Sequence, residues 1–161
     1  MHLGLTRNTR PANPFISASP LFWRVLKQAK QRLVQEFVAG GIELFAGISR
    51  DPDFGLVLAF GMGGTAVEVT RDFALRLLPL REGDIEAMIG EPRGAAILSG
   101  MRGQAAADVT GLARALAGLA DFAEQNADLI EEVDLNPIKA LPRGCGCIVV
   151  DALIVCRRAT A

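Results

Sequence analysis

The feature that most constrains the fold is a series of short apolar segments separated by tight turns. Residues 41–49, GIELFAGIS, alternate Ile, Leu and Ala with Glu, Phe and Gly, the period of two of a half-buried β-strand. A turn at 50–53 separates this run from FGLVLAF at 54–60, a further strand-like segment. Connections this short join antiparallel strands, because parallel strands need a long crossover. The sequence therefore predicts an antiparallel sheet.

Helical periodicity begins after residue 81. Residues 82–91 predict a short helix, and residues 108–125 predict a long one with Asp108 as its N-cap. The apolar positions that predict one inward face on the long helix are Val109, Leu112, Leu116, Leu119 and Ala123. Further strands are predicted at 33–38, 67–78 and in the closing segment 132–154, and a short helix at 22–31. The predicted fold class is α+β, a mostly antiparallel sheet with helices packed on one face.

Composition excludes several classes of protein. The 161 residues are half apolar with a net charge of −1, which favours one globular domain without a long-range attraction to nucleic acid or an anionic membrane. There is no apolar run of membrane-spanning length and no signal or transit pattern, so a cytoplasmic location is expected. Three cysteines and a single histidine, His2, disfavour a disulfide framework, a zinc site and a catalytic triad.

A glycine-rich motif, GMGGTA at 61–66, formally fits the dinucleotide-binding pattern G-x-G-x-x-A. That pattern requires a helix immediately after it, to place the phosphates at a helix N-terminus. The residues that follow are β-branched and predict an extended segment instead. We interpret the motif as a tight glycine turn between strands; the alternative is a turn that lets a ligand or a neighbouring backbone approach closely. A Rossmann-like oxidoreductase is a weaker alternative that a strand after Gly64 would exclude.

The closing segment carries polar side chains in apolar surroundings. At a period of two, Glu132, Asp134 and Asn136 share one strand face, and Asn136 ends the first predicted strand. Asp151 lies in the second strand among Val, Ile and Leu, where a carboxylate without a partner is costly. If the two strands pair, Asn136 and Asp151 approach each other, and their oxygens could hold Mg²⁺ together with water and phosphate. From spacing alone, the alternative is that Asp151 caps a turn or pairs with an arginine.

Other charged residues have an ordinary and a functional interpretation. Glu36 and Glu43 flank the small-residue turn at 39–41, and most such carboxylates are simply solvated. Alternatively, the backbone at 36–38 forms a hinge for a flat base and Glu43 accepts from ribose hydroxyls. The arginines after the glycine motif are surface charges in the ordinary interpretation, and one that points into a phosphate site would be the exception.

These segments, in this order, resemble the C-terminal part of the ATP-grasp domain of NDP-forming acyl-CoA synthetases. The residues that carry the resemblance are VQEFVAGGIELFAGISRDPDFG, LAFGMGGTAVEVTRDFALRLLPL, EEVDLNPIKALP and VVDALIV. The family includes ADP-forming acetate–CoA ligases and, more distantly, the β subunit of succinyl-CoA synthetase. The resemblance runs from 33 to 155 and implies a leader at 1–32, an incomplete ATP-grasp C-terminal subdomain at 33–157 and a tail at 158–161.

The resemblance implies a site for ATP or ADP and Mg²⁺. Asn136 and Asp151 would be Mg²⁺ ligands, with Asp134 as a partner reached through water. Arg76 and Arg102 would lie near the transferred phosphoryl group. In such a site phosphoryl transfer depends on positioning and charge neutralisation.

The nucleoside end of the site follows from the same resemblance. Glu36, Phe37 and Val38 match the hinge that binds adenine, and Glu43 matches the acid that meets the ribose. In the family, a phosphohistidine on another domain exchanges its phosphoryl group with the nucleotide.

Residues 1–32 show no counterpart of the lysine-bearing subdomain or of the CoA-binding domain that carries the phosphohistidine. We therefore expect a truncated or split member that is inactive alone and acts with a CoA-binding, phosphohistidine-bearing domain or subunit. The alternative is a non-catalytic remnant or interaction module that keeps the fold. Such a remnant would expose apolar strand surface and could form a homo-oligomer.

Overall fold

A computed structural model describes residues 37–64, 72–100, 103 and 105–157. The chain divides into the compact units Met1–Phe37 and Val38–Ala161, and the elements below belong to the second. Six described strands form one antiparallel sheet: β1 (Ile42–Asp51), β2 (Gly55–Met62), β3 (Phe73–Leu77), β4 (Ile130–Ala140), β5 (Cys147–Val149) and β6 (Ala152–Cys156). The described helices are α1 (Asp84–Gly90), a 3-10 helix (Arg93–Ser99) and α2 (Val109–Gln125). The predicted α+β class is confirmed.

The sheet is a meander extended on one side by the C-terminal strands. β1, β2 and β3 follow one another, and β4 returns to pair with the free side of β1, which gives the order β3-β2-β1-β4-β5. β5 and β6 both pair with β4, and they share one register from Cys147 to Val155: Ala140 lies opposite Cys147, and Asp134 opposite Leu153. The register shifts only at the end of β6, between Ile130 and Glu132 of β4. β5 and β6 are therefore two halves of one edge strand, interrupted at residues 150–151.

The helices cover one face of this sheet. The alternation in β1 places Leu44, Ala46 and Ile48 in the core, with at most 1% of each exposed. The helical residues that pack against them are Met88 and Ile89 from α1, Leu98 from the 3-10 helix, and Leu112, Leu116, Leu119 and Ala123 from α2. The predicted inward face of the long helix is thus confirmed except at its first residue, because Val109 lines an open surface cavity near the 3-10 helix.

Asp108 caps α2, as predicted. Its Oδ1 accepts from the Gly111 N–H at 2.9 Å, and its Oδ2 accepts from the Gly146 N–H at 2.8 Å. These two backbone donors lower the pKa of Asp108. The carboxylate is buried and joins the start of α2 to the loop between β4 and β5.

Several predicted elements differ from the structure or lie outside it. The 3-10 helix was not predicted; the carboxylate of Asp72 caps it by accepting from the N–H groups of Arg93 and Gly94 at 2.7 and 3.0 Å. The helix predicted at 22–31 and most of the strand predicted at 33–38 lie outside the described residues. Residues 37–39 belong to no strand, because Gly40 and Gly41 have positive φ and turn the chain into β1. In the described part of the chain, no helix is long and apolar enough to cross a membrane.

Candidate functional site

The centre of β4 contains a β-bulge. The pairing of β4 with β1 shifts between Leu44 and Ala46, so that two residues, Asn136 and Pro137, face the single position Phe45. The strand predicted to end at Asn136 therefore continues to Ala140. A proline is tolerated here because the extra residue of a bulge need not donate to the ladder. Bulges re-aim side chains, which makes this position a candidate site.

The structure places Asn136 beside Asp151 at this bulge. The backbone N–H of Asn136 donates to the carbonyl of Asp151 at 3.2 Å, in the gap between β5 and β6. Both side chains are exposed; Asp151 Oδ1 accepts from its neighbour's backbone N–H at 2.9 Å. Within the described ranges, the side-chain amide of Asn136 has no hydrogen-bond partner. The two side chains thus offer oxygen atoms to a ligand.

Asp134 lies on the same strand face. Since Asp134 is opposite Leu153, the continuous register places Asn136 opposite Asp151 two residues further on, and positions two apart share a face. On the other side of β4, Asp134 is opposite Gly47 of β1. This face of β1 is the one that the helices leave open, so Asp134 lies on the open face of the sheet.

Glu43 occupies the other end of the open face and has a partner that the sequence did not suggest. Lys139 of β4 is opposite Glu43, and its Nζ lies 3.6 Å from the Glu43 Oε1. The same Nζ donates to the Val38 carbonyl at 3.0 Å. Lys139 was missed because only the register of β4 against β1 reveals this contact. Of the other predicted hinge residues, Phe37 is exposed and Glu36 lies outside the described residues.

The glycine motif packs against Glu43. The Gly63 N–H donates to the Glu43 carbonyl at 2.7 Å, and a Cβ at Gly63 would lie 2.7 Å from the carbonyl carbon of Glu43. A close approach of the neighbouring backbone is confirmed at Gly63, whereas Gly61 and Met62 belong to β2 and not to a turn. Residues 65–71 lie outside the described ranges, and β3 follows them.

Arg76 lies apart from the other predicted site residues. It is opposite Leu58 in the sheet and therefore on the helix-covered face. Its guanidinium donates to Glu91 and lies 3.5 Å from Asp84 Oδ1. The bond to Glu91 raises the pKa of Arg76, and the guanidinium in turn lowers the pKa of Glu91. Arg102 lies outside the described residues, so its role stays a prediction.

The side-chain oxygen atoms at the bulge suit a hard cation that takes most of its ligands from water and phosphate. In the described ranges, no group of three His, Cys, Asp or Glu side chains could hold a metal ion. Asn136 and Asp151 supply one amide and one carboxylate oxygen, both exposed to solvent. Mg²⁺ is commonly held in proteins by one or two carboxylates, water and substrate phosphates. The residues present therefore fit Mg²⁺ bound together with a phosphate ligand.

Comparison with known proteins relates this arrangement to curated enzymes. The β subunit of acetate–CoA ligase [ADP-forming] II from Pyrococcus furiosus is 36% identical over 123 residues, which are 76% of this chain and 52% of that subunit. The 4-hydroxybutyrate–CoA ligase [ADP-forming] of Nitrosopumilus maritimus is 33% identical over 79% of this chain and 18% of that protein. The chain thus spans about half the length of the first of these relatives and less of the second.

A solved structure has the same fold. The dinucleotide-forming acetyl-CoA synthetase 1 of Ca. Korarchaeum cryptofilum, in complex with coenzyme A and Mg-AMPPCP, superposes with a TM-score of 0.71 at 41% identity. The superposition covers 76% of this chain and 56% of that chain. The family model of the ATP-grasp domain matches residues 24–156. The chain therefore belongs to the ATP-grasp domain family and is homologous to the nucleotide-binding part of ADP-forming acetate–CoA ligases.

Proposed function

We propose that this chain supplies one half of the Mg²⁺–nucleotide site of an ADP-forming acid–CoA ligase. The reaction at this site would be phosphoryl transfer between ATP or ADP and a phosphohistidine on another domain. The observation that carries the proposal is the pairing of Asn136 with Asp151 at the bulge, with both side chains exposed. The homologous synthetase that was solved with Mg-AMPPCP supports it.

In this proposal each residue of the open face has a binding role. Asn136 and Asp151 hold the metal through their side-chain oxygens, and Asp134 contacts it through water. When bound, Mg²⁺ neutralises charge on the phosphates, and the protein contributes positioning. At the other end, the backbone at 36–38 binds the base and Glu43 accepts from the ribose hydroxyls.

Arg76 and Arg102 are proposed to act near the phosphoryl group, as the resemblance implies. For Arg76 this requires its guanidinium to leave Glu91 and Asp84, because its present contacts lie on the helix-covered face. A rearrangement of this kind has a cost, since two carboxylates lose their partner. The proposal for Arg76 is therefore the one that mutation can decide most directly.

We further propose that a second unit completes the site. The chain covers 52% of the Pyrococcus furiosus β subunit and 18% of the Nitrosopumilus maritimus ligase, so the activity of those proteins involves regions beyond the match. A CoA-binding unit with a phosphohistidine is the expected partner. Without it, we expect no acyl-CoA formation from acid, CoA and ATP.

Calorimetry with Mg·ADP tests the metal end of the site. We expect Asn136→Ala/Asp151→Ala to weaken Mg·ADP binding by more than about tenfold, since replacing even the hydrogen-bond partners of metal ligands typically costs about 10–100-fold. Because both side chains are exposed, the melting temperature should hardly change. Asp121→Ala removes an exposed carboxylate from α2 and is the matched control, with no expected effect on binding.

Two outcomes would count against the proposal. Equal affinity in the wild type and the double variant would show that these residues hold no metal. Absence of heat from the wild type at millimolar Mg·ADP would show that this chain does not bind the nucleotide alone. Omission of Mg²⁺ should reduce wild-type binding to the level of the double variant.

A second candidate function is that of an interaction module. It is favoured by exposed apolar side chains on the edge strands: Phe73, Leu75 and Leu77 on β3, and Leu153, Ile154 and Val155 on β6. Large exposed apolar patches commonly mark binding surfaces. Sedimentation velocity of the wild type and of Leu75→Ser/Leu77→Ser would detect self-association through β3. A monomer in both cases would remove the support for self-association through this strand.

A further inference from the structure

Lys139 joins the two predicted parts of the nucleoside subsite. Its Nζ donates to the Val38 carbonyl at 3.0 Å and lies 3.6 Å from Glu43 Oε1. The lysine side chain is only 15% exposed, whereas the Glu43 side chain is 49% exposed. The more buried cation therefore restricts the position of the more exposed acid.

The local backbone supports this arrangement. Gly40 and Gly41 both have positive φ, which lets the chain turn tightly between Val38 and β1. A Cβ at Gly41 would lie 3.2 Å from the Lys139 Cβ, so the turn packs closely on this lysine. The turn thus places the Val38 carbonyl within hydrogen-bond distance of the Lys139 ammonium group.

The geometry leads us to infer that Lys139 is a positioning residue for the nucleoside end of the bound nucleotide. It holds the Val38 carbonyl and the Glu43 carboxylate at a fixed separation, as a ligand with both a base and a ribose requires. An ammonium group has three donors, so the same Nζ can serve both oxygens. This inference rests on the proposed function, because it takes Val38 and Glu43 to be nucleoside contacts.

Arg50 provides a matched comparison at the other end of β1. Its Nη2 donates to the Ile130 carbonyl at 2.9 Å, and its Nε lies 3.9 Å from Glu131 Oε2. The same Nη2 also donates to the Ala127 carbonyl, so Arg50 ties a cation to two backbone carbonyls and one carboxylate. It has no contact with Val38, Glu43 or the bulge among the described residues. A purely structural cation should behave like Arg50.

The test compares two ligands of the full-length chain by calorimetry. Mg·ADP uses both ends of the site, whereas Mg·tripolyphosphate can use only the metal end. We expect Lys139→Met to weaken Mg·ADP binding about tenfold, as when one hydrogen bond from a displaced Val38 carbonyl or Glu43 carboxylate to the nucleoside is lost. The affinity for Mg·tripolyphosphate should stay within about twofold. Lys139→Arg should recover most of the Mg·ADP affinity. Arg50→Met should lower the melting temperature without changing the ratio of the two affinities.

The outcomes separate this inference from the proposed function. If the wild type binds neither ligand, both are overturned. If it binds Mg·ADP and Lys139→Met binds it equally well, only the role of Lys139 is overturned. The same conclusion follows if Lys139→Met weakens both ligands to the same extent, because a positioning role at the nucleoside end predicts a selective loss.

Discussion

The two faces of the sheet differ in what their side chains do, although the same strands form both. In β1, Leu44, Ala46 and Ile48 are buried under the helices, while the alternate residues Glu43 and Phe45 lie on the open face. Alternation at a period of two makes this division possible within a single strand. The covered face supplies the stability of the domain, and the open face is available for a ligand.

The two faces also differ in whether their polar side chains already have protein partners. On the covered side, Asp108 accepts from two backbone N–H groups, and Arg76 is paired with Glu91. In the described residues, no buried side-chain nitrogen or oxygen lacks a hydrogen-bond partner. On the open side, Asn136 and Asp151 keep exposed oxygens. Satisfied polar groups stabilise a fold, whereas exposed donors and acceptors can bind.

The largest expected effect is a loss of stability when the core under the helices is disrupted. Leu116 of α2 is 1% exposed in the core, and Leu116→Ala should lower the free energy of unfolding by about 2–5 kcal/mol. Urea denaturation measures this loss. The Mg·ADP affinity of the folded fraction should stay unchanged. A Leu116→Ala protein that kept its stability but lost Mg·ADP binding would contradict the division between the two faces.

The next effect is on the close contact between the glycine turn and Glu43. Gly63→Ala places a methyl group 2.7 Å from the Glu43 carbonyl carbon, which forces the turn away and should cost about 1–3 kcal/mol. Because Glu43 moves, Mg·ADP binding should weaken as well. Gly118→Ala is the control: Gly118 lies on α2 with no atom within 4 Å of the added Cβ, and alanine there should stabilise by about 0.5–1 kcal/mol. Loss of stability at both positions would contradict the steric explanation.

A smaller effect should depend on pH. Backbone donors lower the pKa of Asp108, so its contribution to stability is present above the ordinary aspartate pKa of about 3.9 and is lost as pH falls through the depressed value in the folded state. Asp108→Asn removes the ionisable carboxylate. One of the two backbone N–H donors then faces the side-chain N–H₂ group, which cannot accept its hydrogen bond. The melting temperature of the wild type should exceed that of the variant at pH 7, and the difference should narrow below about pH 4. A difference that is constant from pH 7 to pH 3 would exclude this linkage.

The smallest effect addresses Arg76, which belongs to the covered face by position and to the site by resemblance. Arg76→Gln breaks the contacts to Glu91 and Asp84, and we expect only a small decrease in the free energy of unfolding, because solvent screens these partly exposed ion pairs. Chemical denaturation and calorimetry with Mg·ADP, on the same preparation, separate the two roles. Weaker Mg·ADP binding with unchanged stability would assign Arg76 to the site.

Much of the fold could be predicted because its signals are local. The alternation at 41–49, the apolar spacing in 108–125 and the capping aspartate each act within one segment, so one sequence reveals them. The 3-10 helix was missed because Asp72, which caps it, lies 21 residues before Arg93. The helical spacing predicts that Val109 faces the core. Spacing alone does not show where the contact between the helix and the sheet ends, and Val109 lies beyond it.

The candidate site was predictable in its residues but not in its arrangement. The approach of Asn136 to Asp151 follows from pairing the last strands, and it was inferred on that condition. The bulge that extends β4 past Pro137 depends on the register of β4 against β1, and nothing near Pro137 in the sequence specifies it. Lys139 was overlooked for the same reason.

The sequence by itself determined the antiparallel class, the long capped helix and membership of the ATP-grasp family, because period, caps and motifs are written in neighbouring residues. Only the tertiary structure decided that Arg76 lies on the helix-covered face, and that Lys139 joins Val38 to Glu43. The physical reason is that alternation states which residues share a strand face, but not which face the helices will cover. Coverage and register arise from packing between segments about a hundred residues apart, as the contact of Val38 with Lys139 illustrates.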